Sequence, residues 1–276
     1  LGACENYAAG NLAPGMIIGL CSETSGGFAP CFVAHKSQIF KLPPKTPPET
    51  GVLIEPFSVA LQAVVNNRPE PGDAVLVIGG GVIGSLIVRA IRALDIDCSL
   101  TIAEKSDFAA EQCKTAGADR VITGPDLLGE AVHITAAKRH TPMIGEDILM
   151  GGFDRIYDTV GSSKTLNTSM RCLAAQGAIS QVGIGHDVKL DLTPLWLKMQ
   201  TLKGVYGCSH MTHKGEKRHM FEAAIDLVQE KKIPLAGMVT HTFALHDFKK
   251  MIETNLDKER HKAIKTVVSF RNPAHH

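Results

Sequence analysis

Three glycines in the stretch DAVLVIGGGVIGSLIVRAIRALD, Gly79, Gly81 and Gly84, stand at the spacing G-x-G-x-x-G, and an acid, Glu104, follows 20 residues after the last of them. Each glycine has its own job in such a loop. The first permits a tight turn, the second lets the backbone approach a pyrophosphate, and the third lets a helix lie close on the preceding strand. The phosphates would sit over the helix N-terminus, at Val82 and Ile83, where free N–H groups and the helix dipole favour anions. A carboxylate at the end of the next apolar run accepts hydrogen bonds from the adenosine ribose and repels a 2′-phosphate. Lys105 beside Glu104 pulls the other way. The set is read as a cradle for a dinucleotide, with NAD expected rather than NADP.

The elements that must hold this cradle are legible around it. Val75–Ile78 is a continuous apolar run, as expected of a parallel strand covered on both faces. VIGSLIVRAIRAL is helical, and CSLTIA is a second strand. SDFAAEQCKTAG is a helix capped by Ser106 and stopped by Gly117. RVIT is a third strand, and a helical stretch starts near Asp126. DRIYDTVG is a fourth strand, SKTLNTSMRCLAAQG a helix stopped by Gly177, AISQVGI a fifth strand and TLKGVYG a sixth. Strands alternating with helices at this spacing predict an α/β chain with a doubly wound, six-stranded parallel sheet.

The flanks read differently. GMIIGL, FAPCFVAH and QIFKLP look like short strands, with Gly26-Gly27 as punctuation and LPPKTPPETG as a Pro-rich linker. EPFSVALQAVV is a helix. Towards the end, EKRHMFEAAIDLVQEKK places Phe221, Ala224, Ile225 and Val228 on one helical face. FKKMIETNLDKE does the same with Phe248, Met251, Ile252 and Leu256, and KAIKTVVSF closes as a strand.

Composition narrows the partners. Over 276 residues the formal charge is +1, which gives no reason to expect nucleic acid or an anionic membrane. Apolar residues make up 44% but fall in short runs, none near the roughly 20 residues of a membrane span. The start, LGACENYAAGNLAPG, has neither a basic region nor an apolar core and is no signal peptide. It lacks an initiator Met, which predicts a beginning partway into a gene product. Seven widely spaced cysteines with no C-x-x-C pair argue against a disulfide framework and for a reducing cytoplasm. Cys98, Cys113 and Cys172 fall in apolar patterns and are expected to be buried.

Other users of such a loop fit less well. A methyltransferase loop reads G-x-G-x-G, but Ile83 holds the fifth position. A short-chain reductase needs Y-x-x-x-K, which follows none of Tyr7, Tyr157 and Tyr206. No second flavin-binding segment is visible.

Taken in order, GGFAPCFVAH, IEPFSVALQAV, PGDAVLVIGGGVIG, AGADRVI, YDTVGS, GAISQVGI and HKAIKTVVSF resemble the medium-chain, zinc-type alcohol dehydrogenases, near their polyol and threonine dehydrogenase branches. The likeness runs from about Gly26 to Phe270. It implies a Rossmann domain inserted into a GroES-like catalytic domain, of which this chain holds only remnants: residues 1–50 and 210–276 from the catalytic domain and 51–209 as the NAD-binding domain. It further implies that Thr159 and Val160 contact the cofactor after the fourth strand. Val182, Gly183 and Ile184 would offer backbone groups to the nicotinamide amide, and Lys265 would reach the pyrophosphate. A small alcohol or polyol is the implied substrate, and a homodimer or homotetramer joined at the sixth strand the implied assembly.

In such proteins a zinc ion polarises the alcohol oxygen, held by an early Cys, a Gly-His-Glu motif and a later acid. Only the last has a counterpart here, Glu55 in IEPFSVALQAV, so zinc is expected only with ligands from a further N-terminal segment. The four-cysteine structural lobe is not expected either: Cys4 fits its third position, but Leu12 stands at the fourth. Cys208, His210 and His213 form one more cluster, and the two histidines would share a face if helical. His275–His276 reads as a tail. Three functions follow: an NAD-dependent alcohol or polyol dehydrogenase lacking most of its catalytic domain, a non-enzymatic dinucleotide-binding module, or a zinc-free enone or quinone reductase. On the first, the chain as given binds the dinucleotide and oxidises alcohols poorly.

Overall fold

The computed structural model describes residues 27–32, 39–206, 209–230 and 232–270. The expected strand GMIIGL, Gly26, the Cys4 lobe, Cys208 and the His275–His276 tail lie outside them. Residues 28–32 and 39–43, expected as strands, take no strand structure. Pro30 and Pro43 supply no amide donor to a ladder there. Pro48 starts a single-turn helix, α1 (Pro48–Gly51), inside the stretch expected as linker. Helix α2 (Ile54–Asn66) follows.

The central strand of the sheet is β1 (Ala74–Ile78), the apolar run singled out above. It leads through Gly79–Gly81 into α3 (Val82–Ala93). The alternation continues with β2 (Ser99–Ala103), α4 (Asp107–Thr115), β3 (Arg120–Ile122) and α5 (Leu127–Thr135). Ser106 caps α4 by accepting from the Ala109 amide, and Gly117 beyond its end has φ +112°. Asp126 caps α5 through the Gly129 amide at 2.9 Å. A hairpin then intervenes, β4 (Lys138–His140) and β5 (Ile148–Met150), which the sequence pattern does not announce. After it come β6 (Phe153–Asp158), α6 (Ser163–Cys172), β7 (Leu173–Gln181), the short α7 (Thr193–Leu197) and β8 (Thr201–Gly204).

Six of these strands form one parallel sheet in the order β3-β2-β1-β6-β7-β8. Leu76, Ile78, Ile156 and Ile179 pack on one face with Ala131 of α5 and Met170 and Cys172 of α6. Val75, Val77 and Tyr157 point the other way, as the strand period requires. There the Tyr157 hydroxyl donates to the Asn67 carbonyl at 2.6 Å, and Asn67 Nδ2 donates to the Ala178 carbonyl at 3.1 Å, pinning the end of α2 to the sheet. Burying an aliphatic side chain contributes about 1.5–3 kcal/mol, so this two-faced core is what fixes the strand ends carrying the loops. Cys98, Cys113 and Cys172 are buried free thiols, as expected.

Helix α6 ends earlier than Gly177, which lies inside β7. The carbonyls at that end meet a buried lysine from far along the chain. Leu173 turns to extended backbone, φ −75° and ψ 140°, and the last carbonyls of the helix are taken by other donors. Lys198, only 1% exposed, donates through Nζ to the carbonyls of Leu149 (3.0 Å), Arg171 (3.1 Å) and Leu173. Gln200 Nε2 donates to Met170 at 2.8 Å and Leu173 at 3.1 Å. A cation at a helix C-terminus also meets the negative end of the dipole.

The later elements are β9 (His210–His213), β10 (Glu216–His219), α8 (Met220–Gln229), β11 (Val239–Ala244), α9 (Phe248–Leu256), α10 (Lys258–His261) and β12 (Lys265–Ser269). β9 pairs antiparallel with β10, and β11 parallel with β12. Two apolar stripes are corrected here. On α8 the buried residues are Met220, Ala223, Ala224 and Leu227: Ala224 is buried as expected, while Phe221, Ile225 and Val228 each stand one position from a buried residue. On α9 Met251 is buried, but Phe248, Ile252 and Leu256 are exposed. The described residues fall into two compact units: the described part of 27–54 with 209–226 and 235–270, and 55–206 with 227–234. Segment 227–234 is tied to the sheet unit by buried Arg89, whose Nε donates to the Pro234 carbonyl at 2.8 Å. Among the described residues no helix is long and apolar enough to cross a membrane.

Candidate functional site

The loop between β1 and α3 is shaped by contacts that only glycine allows. Gly79 has φ +93°, in the region where side chains are strained, and a Cβ there would stand 2.6 Å from Thr159 Oγ1. A Cβ at Gly84 would fall 1.8 Å from the Gly79 carbonyl oxygen, so the first turn of α3 rests directly on the loop. Gly81 is the opposite case: nothing lies within 4 Å of its would-be Cβ. Space is left over the N-terminus of α3, beside Val82 and Ile83, where the first helical N–H groups have no intrahelical acceptor.

Glu104 follows β2, whose last residue Ala103 pairs with Ile78, so acid and loop meet at the same end of the sheet. Its carboxylate is more engaged than the sequence implies. Oε2 accepts from the Gly80 amide at 2.5 Å, and Oε1 accepts from the Ser106 amide at 2.8 Å. A carboxylate oxygen accepts more than one hydrogen bond, so both retain capacity for a ribose. Glu104 and Lys105 line a cleft of about 600 Å³ together with Gly79, Thr123, Pro125, Val160 and Lys164. Thr123, Pro125 and Lys164 were not singled out from sequence. The available signal was topological, because ligands in such sheets bind outside the carboxyl ends of the strands.

The two loops after β6 and β7 interlock backbone to backbone. Thr159 Oγ1 donates to the Ile78 carbonyl at 2.8 Å, tying the first of them to β1. Val160 and Gly161 both donate to Asp158 Oδ1 at 2.9 Å. Val182 and Gly183 donate to the Asp158 carbonyl at 2.9 and 3.0 Å. Gly161 has φ +75°, and a Cβ on it would meet the Gly183 carbonyl oxygen at 2.5 Å; one on Gly183 would meet the Val160 carbonyl carbon at 2.3 Å. Ile184, 98% exposed, projects from this junction, and Val160 is half exposed. Thr159, Val160, Val182, Gly183 and Ile184 therefore lie in two touching loops at the end of the sheet that carries Gly79 and Glu104.

Other expected residues stand elsewhere. Lys265 begins β12 in the other unit, its amide donating to the Met238 carbonyl at 3.1 Å. Glu55 is exposed in the first turn of α2, where an acid complements the helix dipole. His210 and His213 are on strand β9, not a helix, so the odd spacing of three sends them to opposite faces. His210 packs edge-on against His219, while His213 Nε2 lies 3.9 Å from Asp226 Oδ2. Among the described residues, no three His, Cys, Asp or Glu side chains stand together as a metal ion would require. Glu55 belongs to no such group among the described residues, whose donors do not fit a zinc ion.

The profile of the zinc-binding dehydrogenases matches residues 82–230, more than half of the chain. The chain belongs to that family. Among zinc-binding dehydrogenase relatives, L-idonate 5-dehydrogenase of Vitis vinifera is 27% identical over 238 residues, covering 84% of this chain and 60% of the relative. The chain spans about three fifths of the length of the first curated relatives it matches. Two solved structures share the fold. One is 2R,3R-butanediol dehydrogenase from Bacillus subtilis, with TM-score 0.70 and 22% identity over 90% of this chain and 65% of that one. The other is an alcohol dehydrogenase from E. coli CFT073 complexed with NADH, with TM-score 0.67 and 22% identity over 84% and 62%.

Proposed function

We propose that this zinc-binding dehydrogenase binds NAD(H) and serves an oxidoreductase reaction on a small alcohol or polyol. The observation that carries the reading is the meeting of three features at one end of the sheet: the loop on which α3 rests, the carboxylate of Glu104, and the cleft of about 600 Å³ beside it. The N–H groups at Val82 and Ile83, with Gly79, Gly81 and Gly84 giving backbone access, would hold the pyrophosphate. Glu104 would accept from the adenosine ribose, with Lys105 at the rim. Thr159, Val160, Val182, Gly183 and Ile184 would face the nicotinamide end. When bound, the nicotinamide supplies hydride acceptance or donation. The donors among the described residues do not fit zinc.

The preference follows from Glu104. Titration by nucleotide fluorescence should show NADH bound more tightly than NADPH, and Glu104→Ala should narrow the gap by about tenfold, since a charge-assisted hydrogen bond is worth roughly 1.5–3 kcal/mol. Equal affinities in the parent chain would sink the reading of Glu104.

The proposal extends to assembly and setting. β8 is the outer strand of the sheet, and Trp196, Met199 and Tyr206 beside it are exposed. An unpaired edge with apolar flanks favours pairing with a second copy, giving a homodimer or homotetramer. Sedimentation at micromolar concentration should show it, and monomer alone would count against it. The buried free thiols suit a reducing cytoplasm.

A further inference from the structure

Gly80, the residue between the first two glycines of the loop, is held at both ends of its backbone. Its N–H donates to Glu104 Oε2 at 2.5 Å. Its carbonyl accepts from the thiol of Cys113, with Sγ and oxygen 3.7 Å apart. Space is closed around it as well: a Cβ on Gly80 would lie 2.9 Å from Glu104 Cγ and 3.2 Å from Cys113 Sγ. Both grips come from the segment that runs from the end of β2 into α4. Glu104 is fastened by its second oxygen to the amide of Ser106, the cap of α4, and Cys113 lies on the same helix. Cys113 is fully buried. Burial pushes its thiol up to about 11, so it keeps its proton and remains a donor at neutral pH.

We propose that Glu104 and Cys113 are positioning residues for the phosphate loop, gripping the Gly80 backbone from the β2–α4 connection and from α4 itself, so that the loop is set before a ligand arrives. The proposal rests on the dinucleotide reading for the ligand that the loop serves. It differs from that reading in the work it gives Glu104. A ribose partner matters only to a ligand with ribose hydroxyls. A loop clamp matters to any ligand whose pyrophosphate uses the loop. With the Gly80 amide turned to Glu104, it is withheld from the phosphates, and the amides at the start of α3 are left to meet them.

The test uses the full chain and two probes: NADH, and an NADH analogue whose adenosine ribose lacks both hydroxyls. Glu104→Gln keeps size but places an NH2 group against one of the two amides. It should weaken the analogue by about tenfold, the scale of one charge-assisted bond, and NADH by at least as much, because NADH also loses the ribose contact. In the ligand-free chain, the Gly80 amide proton should move upfield and exchange faster in Glu104→Gln. Cys113→Ala should shift the Gly80 carbonyl resonance and weaken both probes by the same factor, leaving their ratio unchanged; a fold defect alone would not move that one carbonyl. Loss of NADH binding with the analogue untouched would make Glu104 a ribose ligand only and overturn the proposal. So would a Gly80 amide resonance indifferent to Glu104→Gln, or a Gly80 carbonyl resonance indifferent to Cys113→Ala. Failure of the parent chain to bind either probe would refute the dinucleotide reading, while the ligand-free resonances would still decide whether the clamp exists.

Discussion

Gly84→Ala should cost this protein its dinucleotide affinity and part of its stability together. The added Cβ would stand 1.8 Å from the Gly79 carbonyl oxygen and 2.9 Å from its carbon. Neither neighbour is a side-chain tip that can swing aside; both are backbone of the loop itself. α3 must back away from β1 by an ångström or more, and its first N–H groups leave the place where the phosphates would sit. Overpacking of this kind costs about 1–3 kcal/mol, and loss of the loop's geometry should weaken NADH by about a hundredfold, near 2.7 kcal/mol at 1.36 per decade. Gly81→Ala is the matched control. Its Cβ meets nothing within 4 Å, and its φ of −65° suits alanine, so thermal unfolding should not change. NADH affinity should still fall, because the methyl group occupies the space left for the pyrophosphate. Denaturation and titration of both variants check this. A Gly84→Ala protein that binds NADH normally would remove the loop from the binding site.

Lys198→Met should be the most destabilising change away from the cleft. The methionine keeps most of the stem's volume but leaves the carbonyls of Leu149 and Arg171 without a donor. Unpaired buried acceptors cost about 1–3 kcal/mol each, so a loss of roughly 3 kcal/mol at pH 7 is expected. The pH dependence is a second signature. Burial lowers the Lys198 ammonium from 10.5 to about 8, with nearby Cys172 opposing. Between about 8 and 10.5 the unfolded chain holds a proton that the folded chain has released, so this residue makes the fold more stable as pH rises through that window. The parent alone will not show this cleanly. Burial raises the thiols of Cys98, Cys113 and Cys172, and those groups make the fold less stable as pH rises above their unfolded values. The difference between parent and Lys198→Met cancels Cys98 and Cys113 and leaves the lysine with its smaller coupling to Cys172. By urea denaturation that difference should widen by up to roughly 3 kcal/mol towards pH 10; a difference that narrows would reverse the assignment.

These two residues also mark where the sequence can be read and where it cannot. Gly84 is legible because its reason is local: a loop, a helix start and fixed spacing after an apolar run. The same holds for β1, for Ser106 and Asp126 as caps, and for Glu104 at the end of β2. Lys198 is not legible, because the carbonyls it meets lie 25 to 49 residues away along the chain. Beside it α6 ends at Cys172, short of Gly177, the stop that local sequence points to. The hairpin β4–β5 was missed for another reason. Lys138, Arg139 and His140 are all exposed, so no burial alternation marks them as a strand. The stripes on α8 and α9 failed by assuming that large apolar residues define the buried face. On α8 the buried face holds Met220, Ala223, Ala224 and Leu227, so Ala224 reads correctly and the larger residues beside it do not. The clamp on Gly80 was out of reach, since Cys113 reads simply as a buried thiol until the fold sets it under the loop.

The interlock of Gly161 and Gly183 bears on motion. Two loops that meet backbone to backbone, each filling the place where the other would carry a side chain, cannot swing independently. They have one joint degree of freedom in place of two, and Thr159 fastens that joint to the end of the central strand. A flap made of either loop alone would have to break these backbone contacts, so any movement of residues 158–185 is expected to carry both loops together.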